Sequence, residues 1–257
     1  MTPTARQNLI LEKARNGERI EVEALATDLA ASRETIRRDL AQLDRAGVLR
    51  RVHGGAVIAA PHLLDASEDP FHRRMQQHVA AKRAMARHVA AGLSAGDSLF
   101  IDCGTTTLYL SEELSRLKGL IILTNSADVA YLAQRGDHHR VILIGGEFRG
   151  PGRETLGAAA LAQIGSLRAA QAVLTVAALT EKGAFDIDPQ EAEVARAMIR
   201  QADRVTILVD GSKMGRPGVF EVCPLSALHR IVTDHIPPAI SAAAEQAGVQ
   251  VDVTSPK

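Results

Sequence analysis

The sequence predicts an α/β protein in two parts: an amino-terminal winged helix-turn-helix domain over residues 1–58 and, after a linker at 59–70, a carboxyl-terminal doubly wound α/β domain over 71–257. Three observations predict this architecture. Short amphipathic segments separated by a tight turn lead into an alternating stretch around a glycine turn. A proline-bearing interruption follows at Ala59-Ala60-Pro61 to Pro70. From Ser98 onward, short β-branched apolar runs alternate with helical stretches, the rhythm of a parallel sheet covered by helices. With 257 residues and 46% hydrophobic content, the chain can build a core for each part.

In the amino-terminal part, Thr4 to Arg15 carries Leu9 and Ile10 at helical spacing and is stopped by Asn16-Gly17. Ile20-Glu21-Val22 is a short extended approach to a helix from Glu23 to Leu29, and Ala30-Ala31-Ser32 makes the turn. Ser32 is a good N-cap for the next helix, whose Ile36, Leu40 and Leu43 recur on one face. Arg33, Thr35, Arg37 and Arg38 lie off that stripe and are the candidates to enter a major groove, where Arg bonds guanine edges bidentately or grips phosphate. Arginines on a helix are more often a solvated face, so context must decide. From Ser32 to His53 there are six Arg against three acids, a local excess in a chain whose 30 basic and 30 acidic residues balance. Val48 to Val57 then alternates around Gly54-Gly55 as a wing, presenting Arg50, Arg51 and His53 to backbone phosphate or minor groove.

In the carboxyl-terminal part, Phe71 to Ala91 reads as one long helix, whose first part could couple the domains or mediate association; a plain exposed connecting helix is the competing account. Strands are expected at Leu99–Ile101, Leu120–Leu123, Val141–Ile144, Ala172–Val176, Val205–Val209 and Ile231-Val232, with a last one at Val249–Val253. Helices are expected at Leu108–Leu117, Ala127–Gln134 and Glu191–Gln201. Ligands of such sheets bind beyond the carboxyl ends of the strands, so the loops following these runs are the candidate site. They are Asp102-Cys103-Gly104-Thr105-Thr106-Thr107, Thr124-Asn125-Ser126, Gly145-Gly146-Glu147, Asp210-Gly211-Ser212-Lys213 and Thr233-Asp234.

Gly104 followed by Thr105, Thr106 and Thr107 at a helix start offers free amides, hydroxyls and the positive end of a helix dipole, which together suit phosphate. A plain threonine-capped turn is the competing account. Neither a Walker loop nor a Gly-x-Gly-x-x-Gly fingerprint is present, which disfavours a nucleotide. Lys213 is the candidate cation, with Asn125, Glu147 and Glu191 for hydroxyls. Glu191 would equally serve its own helix dipole.

The two cysteines, Cys103 and Cys223, form neither a metal ribbon nor a disulfide framework, and a reducing cytoplasm is the expected setting. No apolar signal core opens the sequence and no run approaches membrane-spanning length. The nine histidines show no metal-ligand spacing, and neither metal nor cofactor is expected. The 3% aromatic content counts against single-strand binding by base stacking.

Thr35-Ile36-Arg37-Arg38-Asp39-Leu40, followed by Leu43, Gly47, Leu49 and Arg51-Val52-His53-Gly54-Gly55-Ala56, resembles the signature of the DeoR family of bacterial transcriptional regulators. The carboxyl-terminal domain of that family is similar to the ribose-5-phosphate isomerase and glucosamine-phosphate isomerase fold. The resemblance implies a non-enzymatic regulator with a double-stranded DNA operator as partner, a phosphorylated sugar or polyol as effector, and a homo-oligomer, dimer or tetramer. Matching pieces continue through Lys82, Gly157, Asp188, Glu191-Ala192-Glu193 and Asp210 to Gly215. The chain departs from the family at Ala195, where a lysine is common, and over Ala170-Gln171-Ala172 and Val176 to Leu179. Two other readings stay open at this point: a sugar-phosphate isomerase or hydrolase using Asp102, Glu147, Glu191 and Lys213, and an oligomerisation module without ligand.

Overall fold

The computed structural model describes residues 6, 9–10, 20–29, 31–45, 49–52, 55–58, 71–150 and 152–255. Two compact units divide the chain, Met1–Ala66 and Ser67–Lys257.

In the first unit, β1 (Ile20–Glu21) runs into α1 (Val22–Asp28), and α2 (Arg33–Arg45) leads to a hairpin of β2 (Leu49–Val52) and β3 (Gly55–Ile58). β1 adds to β3, so the antiparallel sheet has the order β1-β3-β2. α2 starts where a cap is available: Ser32 Oγ accepts the Thr35 amide at 3.1 Å. Its inward stripe of Ile36, Leu40 and Leu43 is buried with Ile10, Leu25 and Leu29. Burying each such aliphatic chain contributes about 1.5–3 kcal/mol. Asp39 on the same helix is buried as well, and the Arg6 guanidinium pairs with it, which a buried carboxylate requires. Arg6, Leu9 and Ile10 are helical; the rest of the helix expected from Thr4 to Arg15 lies outside the described residues, as do His53, Gly54 and the linker at 59–70.

The second unit opens with α3 (Phe71–Gln76) and α4 (Val79–Ala90). A single helix was expected across this stretch, and the structure corrects that. His78 adopts φ 51°, a left-handed conformation that interrupts the helical ladder between the two. Nor is α4 an exposed connector, because Ala81, Lys82, Ala84, Met85, Ala86, Val89 and Ala90 are buried.

There follow β4 (Ser98–Ile101), α5 (Thr105–Leu114), β5 (Ile121–Thr124), α6 (Ala127–Ala133), β6 (Arg140–Leu143), β7 (Glu147–Arg149), β8 (Glu154–Leu156) and α7 (Gly157–Gly165). The chain continues through β9 (Ala169–Thr175), β10 (Ala178–Thr180), β11 (Gly183–Asp186), α8 (Pro189–Arg200) and β12 (Ala202–Leu208). It closes with β13 (Phe220–Pro224), β14 (Arg230–Thr233), α9 (Pro238–Gln246) and β15 (Gln250–Val253).

Seven of these strands form one sheet in the order β15-β14-β12-β9-β4-β5-β6, and every pairing in it is parallel. Side chains alternate across it. Leu99, Ile101, Ile122, Val173 and Val232 pack with α4, α5 and α6 on one face. Phe100, Leu123, Ala172, Leu174 and Ile231 pack with α7, α8 and α9 on the other. Two buried faces explain why the strands read as continuous apolar runs. From β4 the chain winds outward through β5 to β6, then returns to β9 on the other side of β4 and winds away through β12, β14 and β15. The carboxyl ends of β4 and β9 therefore flank a topological switch point, where open parallel sheets bind ligands.

Two smaller sheets were not foreseen, the β7–β8 hairpin and the β10-β11-β13 sheet. Both overhang the carboxyl side of the strands and supply residues of the site.

Candidate ligand crevice and DNA-facing helix

At the switch point, Asp102 follows β4 and Thr175 ends β9, and the two are tied together. Asp102 Oδ2 accepts hydrogen bonds from the Thr175 amide at 2.6 Å and the Thr175 hydroxyl at 3.1 Å. Gly104 permits this approach, since a Cβ there would sit 2.1 Å from Thr175 Oγ1. Burial pushes the Asp102 carboxyl up to about 7 despite those bonds. Its other oxygen, Oδ1, is buried without a hydrogen-bond partner among the described residues, and so is Oδ1 of Asn125, just past β5. Asn125 is 1% exposed and fixed by its Nδ2, which donates to the Thr155 carbonyl at 3.1 Å. The Asn125 amide carbonyl and one Asp102 carboxylate oxygen are thus acceptors held in place with no donor.

The residues that carry these two acceptors both line one crevice. Of the sequence-predicted residues, the structure brings Asp102, Asn125, Glu191 and Lys213 together in its wall. Lys213 comes from a short 3₁₀ turn (Gly211–Lys213) and donates to the Val176 carbonyl at 2.6 Å. Asp210 caps that turn through Ser212. Burial raises the Asp210 carboxyl, but the Ser212 bond and the Lys213 charge outweigh this and hold it below the usual range. Glu191 lies in the first turn of α8, which Asp188 caps by accepting the Gln190 and Glu191 amides. Arg149 bridges Asp188 at 2.7 Å and Glu191 at 3.5 Å.

The remaining candidates are not in the lining. Gly104 is the N-cap of α5, and Thr107, fully buried, closes a reciprocal cap: its Oγ1 accepts the Gly104 amide at 2.9 Å and lies 3.1 Å from the Asp102 carbonyl. Thr105 and Thr106 occupy the first turn of α5 and are buried. Ser126 caps α6 by accepting the Val129 amide at 3.3 Å. Gly145, Gly146 and Glu147 are exposed and stand apart from the crevice wall. The Gly145 amide already donates to Gln163 Oε1 at 2.7 Å. Gly146 serves packing, because a Cβ there would meet the Leu156 carbonyl at 2.6 Å.

Sequence reasoning did not find Arg74, Glu154, Thr175, Val176, Ala177, Asp186, Val194 or Ala195 as part of this wall. Glu154 and Asp186 sit on the two small sheets, and a buried acid in a three- or four-residue strand was the available signal. Ala195, the position of departure from the family pattern, faces the crevice. The lining carries four carboxylates (Asp102, Glu154, Asp186, Glu191) against two cations (Arg74, Lys213). Cys103 also lines it, donating to the Gly152 carbonyl at 2.8 Å; burial and then Glu154, Asp102 and Glu191 push its thiol far up, which keeps it protonated and unreactive. Among the described residues no group of three or more His, Cys, Asp or Glu is placed to hold a metal.

On α2, Arg33, Arg37 and Arg38 are exposed. Arg33 pairs with Glu23 at 3.1 Å, and Arg38 lies 4.0 Å from Glu34, surface pairs that water and DNA phosphate readily replace. Ser32 and Thr35 are bonded to each other in the cap. Arg50 and Arg51 lie on β2, while His53 lies outside the described residues.

A helix-turn-helix unit with a hairpin wing, followed by a parallel α/β unit with a polar switch-point crevice, is the architecture of a DNA-binding regulator. Residues 6–62 match the DeoR-like helix-turn-helix domain, and residues 77–235 match the DeoR C terminal sensor domain. The chain belongs to the DeoR family of transcriptional regulators, and it is a regulator rather than an enzyme. It is 31% identical over 239 residues to the glycerol-3-phosphate regulon repressor of Escherichia coli, covering 93% of each chain. It is 31% identical over 231 residues to the transcriptional repressor AccR of Agrobacterium fabrum, covering 89% of this chain and 88% of that one. Among solved structures it is similar to ribose 5-phosphate isomerase A from Methanocaldococcus jannaschii, at 14% identity over 52% of this chain and 53% of that chain, with a TM-score of 0.37. No helix among the described residues is long and apolar enough to cross a membrane.

Proposed function

We propose that the chain represses a carbohydrate or polyol operon in the cytoplasm and that a phosphorylated sugar or polyol entering the crevice changes its affinity for operator DNA. The observation that carries the effector reading is the pair of buried, partnerless acceptors, Asp102 Oδ1 and Asn125 Oδ1. A buried polar atom left without a partner costs about 1–3 kcal/mol, and the vicinal hydroxyls of a sugar or polyol supply the missing donors. The phosphate is assigned to the first turn of α5, at Thr105 and Thr106, which are not among the lining residues but where the helix dipole favours an anion. Lys213 and Glu191 complete the contacts to phosphate or sugar oxygens. The repressor names of the relatives and the regulon named for one of them support this reading.

DNA is read by α2 through Arg33, Arg37 and Arg38, and Arg50, Arg51 and His53 of the wing grip the backbone. The working form is a homo-oligomer, a dimer or tetramer, whose paired modules address related half-sites about one helical turn apart. The test is a thermal-shift and calorimetric screen of glycerol 3-phosphate, ribose 5-phosphate, fructose 6-phosphate and glucosamine 6-phosphate beside their dephosphorylated forms. A native-state ligand raises apparent stability, and the phosphorylated compounds alone should do so. Equal shifts with the dephosphorylated compounds would contradict it.

A further inference from the structure

One wall of the crevice is supplied by the segment through which the chain arrives from the amino-terminal unit. Arg74 lines the crevice from α3, the first element after the linker. With six residues, α3 is far too short to hold its shape unaided. Two side chains of the sensor fold hold it by its backbone: the buried Lys82 ammonium donates to the Arg74 carbonyl, and the Tyr109 hydroxyl donates to the Met75 carbonyl at 2.9 Å. The left-handed His78 separates α3 from α4, so α3 is a unit of its own. Tyr109 belongs to α5, one turn beyond Thr105 and Thr106, and its ring lies 4.7 Å under the Arg83 guanidinium.

We infer that Arg74 is an effector-binding residue and that α3 is the strap through which occupancy of the crevice reaches the DNA-binding unit. This rests on the sugar-phosphate reading above. The charge distribution assigns Arg74 its ligand group: an anion in a wall with four carboxylates settles at the cations, Arg74 and Lys213. The planar guanidinium of Arg74 suits bidentate phosphate contact. An anion held at Arg74 bears on the position of α3 relative to α5, the two elements that the Tyr109–Met75 bond joins. α3 is the first described element after residues 59–70, so an anion at Arg74 acts on the segment by which the chain enters the sensor unit. The coupling is as large as the difference in ligand affinity between the two placements of α3.

The test uses the full chain and a duplex selected from a random pool by the wild-type protein, with calorimetry for the four phosphorylated compounds named above and fluorescence anisotropy for DNA. Arg74→Ala should weaken the best phosphorylated binder by roughly tenfold or more, with Arg74→Lys recovering part of the loss. Tyr109→Phe, which removes one hydroxyl outside the crevice lining, should bind that compound within about twofold of wild type. Its DNA affinity should nevertheless respond to the compound at least about fivefold less. Unchanged binding by Arg74→Ala, or a full DNA response by Tyr109→Phe, would overturn the inference while the effector reading stood. A wild type that binds none of the compounds would overturn the effector reading, and the inference with it.

Discussion

Burial displaces the Asp102 carboxyl strongly upward, and its titration is a measurable property of the fold. Its pKa in the folded chain is about 7, against an ordinary value of 3.8. The folded state therefore holds this proton more tightly than the unfolded state does. The stability linked to it is fully present below about pH 4 and is lost as pH rises through 7. Between pH 5 and 8, urea unfolding should show wild type losing on the order of 3 kcal/mol relative to Asp102→Asn, in which the titration is absent. Parallel pH profiles would contradict the burial assigned to this carboxyl. Gly104 admits a second test at the same scale. Its φ of −142° is open to any residue, so the cost of Gly104→Ala comes from the 2.1 Å approach to Thr175 Oγ1. That collision should destabilise the carboxyl-terminal unit by about 1–3 kcal/mol and loosen the Thr175 bonds to Asp102. A variant as stable as wild type in denaturant titration would show that Thr175 moves freely.

At the scale of elements, α2 separates folding from recognition on one helix. Leu40 is 1% exposed in a core of few large residues, and Leu40→Ala should cost about 2–5 kcal/mol, read as early melting of the amino-terminal unit. Arg37→Ala and Arg38→Ala should leave that melting in place and weaken DNA binding. A loss uniform across sequences, with the salt slope reduced by about one, marks a phosphate contact; a loss confined to one base position marks a base contact. Binding unchanged in both variants would remove α2 from the interface.

The elements also show what sequence can carry. The strands of the large sheet were legible because burial on both faces leaves unbroken apolar runs, and α2 because its stripe and Ser32 cap are local. The division into α3 and α4 was not legible, since it turns on one left-handed residue, His78, with no Gly or Pro beside it to mark a break. The short strands of the β7–β8 hairpin and the β10-β11-β13 sheet carry too few residues for a period to emerge, so Glu154 and Asp186 stayed hidden. The residue types around Gly104 to Thr107 and at Ser126 marked helix starts correctly. Thr107 and Ser126 cap those helices with their own side chains, a local use that composition alone does not distinguish from ligand contact.

For the whole molecule, the proposed function divides the work between two units, with α2 and its wing assigned to DNA and the switch-point crevice to a metabolite. Thr105→Ala combined with Thr106→Ala should remove the response of DNA binding to a phosphorylated compound, because the first turn of α5 is assigned to the phosphate. A double variant that responded normally would move the phosphate elsewhere. The most direct measurement is a fluorescence-anisotropy titration of the selected duplex with the wild-type chain, with and without each phosphorylated sugar or polyol and its dephosphorylated counterpart. The account predicts that at least one phosphorylated compound shifts DNA affinity by about fivefold or more while its dephosphorylated counterpart does not. Identical titration curves with every compound, or equal shifts from both members of a pair, would contradict it.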